Sequence, residues 1–255
     1  MAAINSSTPI FLLLTLAYSI LKYYTKSPTG LKIWTIVYFL LVLIILFFVN
    51  LSLTNEMCGF SQFSIALKAT LFPWVIIFGS MFVILKAFPL WLSPFSNTIG
   101  YFFAYISGVN NLLSSILKDP STLNLSSEHA SIVKAINYIY EDKSLTINDI
   151  TLDNFESWWD RMGKGGLLKS ENNTTYKAEL YSYIEMKTVI SEFIWYALTG
   201  LFTISISNNI VINSGCSQSA EEMEKRHNDY LEKENQIAEN NKNTADNQIV
   251  YKTYD

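Results

Sequence analysis

The first 117 residues of this 255-residue chain are short of charge, with six charged side chains: Lys22, Lys26, Lys32, Glu56, Lys68 and Lys86. The other thirty-four lie between 118 and 255. A half with so few charges cannot cover its apolar surface in water, which excludes an ordinary soluble domain there. A basic face is missing too. The net charge of −4 and the pI near 5.3 offer no footprint for nucleic acid. Two cysteines and two histidines are too few for a four-ligand zinc module, so no metal site is expected. His129 and His227 sit on polar segments without ligand-spaced companions. Met162-Gly-Lys-Gly-Gly-Leu167 resembles a phosphate loop only superficially. It lacks the G-x-x-x-x-G-K-[ST] order and an upstream strand. No G-x-S-x-G elbow or H-E-x-x-H pair occurs. The expectation is therefore a non-enzyme with no catalytic residues and no cofactor.

What the chain does have is long apolar runs. A membrane-crossing helix needs about 20 mostly apolar residues. Met1–Leu21 carries no charge, and its lysines follow the apolar stretch instead of preceding it. A retained anchor fits that pattern better than a cleaved signal peptide. Ile33–Asn55 is an uninterrupted second run. The third lies between Lys68 and Lys86, bracketed by Phe72-Pro73-Trp74 and Phe88-Pro89-Leu90-Trp91. Trp74 and Trp91 are spaced like two interfacial aromatic belts, with Pro73 near the helix start. Phe193–Ile212 opens the uncharged run that forms the last span. The expected fold is all-α, a polytopic membrane protein with about four transmembrane helices. Helices 1–3 occupy 1–93 and helix 4 occupies 187–213.

The remaining segments are smaller. Within 94–118, Ile99, Phe102, Phe103, Ile106, Val109, Leu113 and Ile116 recur on one helix face. This reads as an interfacial amphipathic helix, with a crossing or re-entrant segment as the alternative. Residues 119–186 form a small helical insert. Ile132, Ile136 and Ile139 mark one helix, and Phe155, Trp158 and Trp159 mark a second that ends at Gly163. The 214–255 tail is polar, helical and then disordered. Met223, Tyr230 and Ile237 recur every seven residues as a thin seam that could dock on a partner helix, with a solvated helix fraying after Asn240 as the favoured reading. Lysines flank the insert's side of the membrane, which places the insert in the cytoplasm, although Lys225 and Arg226 count against this. The sequons at Asn172 and Asn173 would then stay unmodified.

Two side-chain pairs follow from this layout. Glu192 lies at the start of the last span, level with Lys86, and an interfacial ion pair between them is expected. Cys58 and Cys216 each lie just beyond a span, on the same non-cytoplasmic side if there are four crossings. A disulfide is a reasonable expectation there, with two independent thiols as the alternative.

Phe88-Pro-Leu-Trp-Leu-Ser-Pro-Phe-Ser-Asn-Thr-Ile-Gly-Tyr101 resembles a segment of integral membrane proteins of nucleocytoplasmic large DNA viruses, the giant algal and amoebal viruses. So do Glu192-Phe-Ile-Trp-Tyr-Ala-Leu-Thr-Gly200 and Gly215-Cys-Ser-Gln-Ser-Ala-Glu-Glu-Met-Glu-Lys-Arg-His227. Together they cover about a sixth of the chain. The resemblance implies a structural protein of an internal virion membrane derived from host endoplasmic reticulum. Its partners besides the lipid bilayer would be capsid or core proteins, reached through 119–186 and the tail. A small channel or transport-type membrane protein of viral or eukaryotic origin is the other open class.

Overall fold

The computed structural model describes residues 2–25, 27–119, 130–169, 174–216 and 220–246. The sequons at Asn172 and Asn173, together with His129, lie outside these residues. The chain divides into two units, Met1–Ser214 and Gly215–Asp255. The regular structure of the described residues is helical with no strand, in line with the expected all-α class.

The first unit begins with α1 (Ala2–Tyr24) and α2 (Pro28–Cys58). Local sequence sets the start of α2. Ser27 caps it by accepting the Gly30 N–H, and Pro28 takes the first turn, where its missing donor costs nothing. Next come α3 (Phe63–Pro73), a π-helical turn (Trp74–Phe78) and α4 (Gly79–Ala87), which together form one unbroken helix. The wide turn follows Pro73 directly, where the ring cannot continue the i→i−4 ladder. Pro73 thus lies inside the helix instead of starting it.

α1, α2, α3–α4 and the C-terminal half of the long α11 (Thr174–Asn213) pack side by side. Their core is aromatic: Phe11, Tyr18, Tyr38, Trp74, Phe78 and Tyr196. Tyr18 and Tyr38 stack at 4.3 Å between centroids. Their hydroxyls are satisfied by Thr35 and Thr15, at 2.8 Å and 2.9 Å, so the polar tips carry no desolvation penalty. Trp74 belongs to this core, 5.3 Å from Phe11 and 5.1 Å from Phe78. It is not a membrane-interface marker, which corrects the belt reading. Its helix face points at α1, and aromatic spacing along the chain cannot show facing. Trp91 is half-exposed and keeps its place at the end of the run.

Outward, the bundle shows Leu13, Ile36, Phe48, Phe72, Val83 and Phe202, all more than half exposed. A water-soluble bundle would hide such a belt. Three helices among the described residues are long and apolar enough to cross a membrane: Pro28–Cys58, Phe63–Ala87 and Thr174–Asn213. This is one fewer than the four expected. α1 is not among these three, although it packs into the same bundle.

After α4 the chain turns through a 3₁₀ segment (Pro89–Leu92), then α5 (Ser93–Phe95), a π turn (Ser96–Gly100), α6 (Tyr101–Ile106) and α7 (Val109–Ile116). The single amphipathic helix expected over 94–118 is therefore broken. Gly108 has φ +107°, a conformation side-chain-bearing residues rarely adopt, and it splits α6 from α7. The apolar stripe divides with it. Ile99, Phe102, Phe103 and Ile106 are exposed, whereas Val109, Leu113 and Ile116 are buried in a second core.

That second core is built by α7, α8 (Ala130–Glu141), α9 (Lys143–Asp149), α10 (Phe155–Lys164) and the start of α11. Asp142 caps α9, and hydrogen bonds from the Ser144 hydroxyl and backbone N–H hold its carboxyl below the usual range. Phe155, Trp158 and Trp159 fill the centre, as expected of a mini-core. α10 runs one residue past Gly163 and closes through the Gly165 N–H on Arg161. The Gly-Lys-Gly-Gly run is this turn. Main-chain pairing of 116–118 with 167–169 ties α7 to the chain leaving α10.

The insert and the bundle share one helix. α11 continues from it into the bundle without a break, and Leu180 and Ile184 belong to the insert's core. At 1.5 Å per residue, its 40 residues reach about 60 Å, roughly twice the thickness of a hydrocarbon layer. The second unit contributes α12 (Ala220–Asp246), a polar helix.

Candidate functional site

The polar side chains of the bundle gather at two levels. Deep within it, Asn50 of α2 donates to Thr70 Oγ1 of α3 at 2.7 Å and to Ser207 Oγ of α11 at 2.8 Å. All three are buried, and one amide links three helices. Hydrogen bonds between membrane helices average about 0.6 kcal/mol and reach about 1.7 kcal/mol. Asn50→Leu should therefore cost about 1–2 kcal/mol of detergent-state stability, read as a lowered Tm. An unchanged Tm would remove this clasp from the account.

The second level is the junction between bundle and insert. Glu192 on α11 forms a salt bridge with Lys22, at the end of α1. The pair expected from sequence was Lys86 with Glu192. Lys86 lines the same cavity, but Lys22 takes the carboxylate because α1 packs directly along α11. Chain separation hides this partner: the two residues are 170 positions apart.

One helical turn earlier, Lys187 is 2% exposed. Its ammonium donates to the Ile147 carbonyl at 2.6 Å and lies 3.5 Å from Asn97 Oδ1. Ile147 is in the last turn of α9, so a cation sits where the helix dipole is negative. Close packing holds the region together. A Cβ on Gly100 would lie 2.6 Å from the Lys187 carbonyl oxygen, so backbone touches backbone there. Ser191 Oγ donates to the Leu92 carbonyl at 2.6 Å, and the Trp195 indole donates to the Trp91 carbonyl at 2.8 Å. These bonds pin the Pro89–Leu92 turn onto α11. The sequence reading passed over Lys187 because it served as a span boundary. The signal was a charge on the same helix face as Leu180, Ile184 and Ser191, all of them buried.

Both cysteines are disulfide-bonded, and since the chain has two, the bridge is Cys58–Cys216. The pairing expected from the parity of the spans is present. On α12, Met223, Tyr230 and Ile237 are all exposed, with Leu231 beside Tyr230. They remain an apolar row on a helix of otherwise polar surface. Among the described residues, no three His, Cys, Asp or Glu side chains gather as a metal site would require.

No protein-family model, curated protein or solved structure matches this chain.

Proposed function

We propose that the chain is a non-enzymatic, four-crossing membrane protein that couples a bilayer to a protein layer. In this reading the membrane is the internal membrane of a large DNA virion. The observation that carries the coupling role is α11, a single 40-residue rod whose ends belong to two different cores. A helix that is half lipid-facing and half insert transmits position without a hinge. The virion assignment rests on the resemblance of three segments described above. Capsid or core proteins are the partners it implies, through the insert and through the row Met223, Tyr230 and Ile237.

Four crossings are supported by two features. α1 is 23 residues long, covers α2 and α11, and turns Leu13, Leu16 and Ile20 outward. The Cys58–Cys216 bridge requires both cysteines on one side of the membrane. That fits two crossings between them, by α3–α4 and α11, with 94–118 remaining at the surface. Sidedness follows from the lysines near the insert, which favour a cytoplasmic insert and an oxidising compartment for the bridge.

Proteomics of purified virions with alkaline carbonate extraction tests the reading. The expected result is recovery in the carbonate-resistant virion membrane. Absence from virions would overturn the viral assignment, and release by carbonate would overturn membrane insertion. A channel is the second reading, drawn from the Asn50, Thr70 and Ser207 cluster inside the bundle. Those groups close on each other instead of lining a path, so ion flux in liposomes is expected to stay at background.

A further inference from the structure

Beyond Ala87 the chain folds back over α11 and leaves a cavity of about 350 Å³ between the bundle and the insert. Pockets for small ligands begin at about this size. The wall has two characters. Leu85, Leu90 and Leu92 form an apolar side, continuous with the lipid-facing belt through exposed Leu90. The other side carries Lys86, Asp153, Lys187 and Glu192.

These four charges are not equally compensated. Glu192 is neutralised by Lys22. Lys86 and Asp153 are exposed and have no ion pair or hydrogen bond among the described residues. Lys187 is buried, both of its hydrogen-bond partners are neutral oxygens, and Asp149 acts on its charge without a hydrogen bond to it. Buried charges are ordinarily paired, and an ammonium has a third N–H to offer. Asn148 also lines the cavity, and its side-chain oxygen lacks a hydrogen-bond partner among the described residues. The site thus presents two cations without a hydrogen-bonded anion, and a carboxylate and an amide oxygen without a donor among the described residues. It opens towards an apolar surface at the membrane boundary.

We infer that this cavity binds the headgroup of a phospholipid bearing a primary ammonium. The phosphate is held by Lys86 and Lys187, the ammonium by Asp153 and Asn148, and the acyl chains leave past Leu85 and Leu90. Basic pockets at the ends of membrane helices recognise lipid phosphates by this chemistry. A quaternary ammonium has no N–H and can satisfy the oxygens only through its charge. Discrimination between ethanolamine and choline headgroups follows. The inference rests on the membrane reading above, because the bilayer supplies the ligand.

The test uses the full chain, delipidated in detergent and titrated calorimetrically. The probes are dihexanoyl phosphatidylethanolamine, dihexanoyl phosphatidylcholine and inorganic phosphate. The ethanolamine lipid is expected to bind about tenfold tighter than the choline lipid, the worth of one charge-assisted hydrogen bond. Inorganic phosphate should bind more weakly than either. Lys86→Ala should weaken both lipids about tenfold, and Asp153→Asn should weaken the ethanolamine lipid alone by a similar factor. Both residues are exposed, so the variants should keep the wild-type Tm. Equal affinity for the two lipids, equal affinity for inorganic phosphate, or wild-type affinity in both variants would overturn the inference. A chain that resists carbonate yet binds no lipid sinks the headgroup site and leaves the membrane reading standing.

Discussion

Gly200→Ala is expected to lower the stability of the bundle by about 3 kcal/mol, at the upper end of what an overpacked core costs. A Cβ on Gly200 would run into the edge of the Phe11 ring, at Cζ and Cε1, so the ring must move. It has nowhere to go. Phe11 is fully buried, with Trp74 5.3 Å and Phe78 5.9 Å away between ring centroids. The alternative is separation of α1 from α11, which removes the close contact that small residues provide between membrane helices. Thermal unfolding in detergent, followed by near-ultraviolet circular dichroism, reads the effect. Combining Gly200→Ala with Phe11→Leu should be less damaging than the sum of the two single changes, because the smaller side chain leaves room for the methyl. Strict additivity would show that the two residues do not touch.

Gly100→Ala should be about as damaging, by a different route. The obstruction at Gly100 is the Lys187 main chain, with the carbonyl oxygen at 2.6 Å and the carbonyl carbon and Cα at 3.2 Å. Backbone cannot rotate aside as a ring can, so the Ser96–Gly100 turn must lift from α11. That movement would also loosen Asn97 and the α9 carbonyl from the Lys187 ammonium. A loss of about 3 kcal/mol is expected. Gly79→Ala is the internal control. Its Cβ would meet Trp74 O at 3.7 Å and Phe39 Cζ at 4.0 Å, both ordinary contacts. In a helix interior this substitution should be neutral or stabilising by up to about 1 kcal/mol. Equal behaviour of the two variants would refute the close approach at Gly100.

The sequence led furthest where one local property decides the outcome. A run such as Val37–Val49, without a charge, has no other stable environment than lipid or a deep core, so the second and last spans were legible. The Phe155, Trp158 and Trp159 face was legible for a similar reason, since three large aromatics on one turn must be covered. The cysteine pairing followed from counting crossings, which needs the order of the spans but not their packing. Trp74 went wrong because the argument used distance along the helix, whereas its role depends on which neighbour its face meets.

Some features were decided by tertiary structure alone. Composition and hydrophobic periodicity by themselves determined an all-helical chain with apolar helices of membrane-spanning length, a polar helical tail and an aromatic mini-core. These properties are additive over a window of residues and survive without knowledge of partners. That Glu192 meets Lys22, that Lys187 is buried against α9, that Asn50 joins three helices, and that Gly100 and Gly200 are the points of closest approach required the folded chain. Each is a pairing between residues far apart in sequence, set by how helices rotate and slide against one another. Rotation and register depend on the simultaneous fit of all the packed side chains, which no single segment encodes.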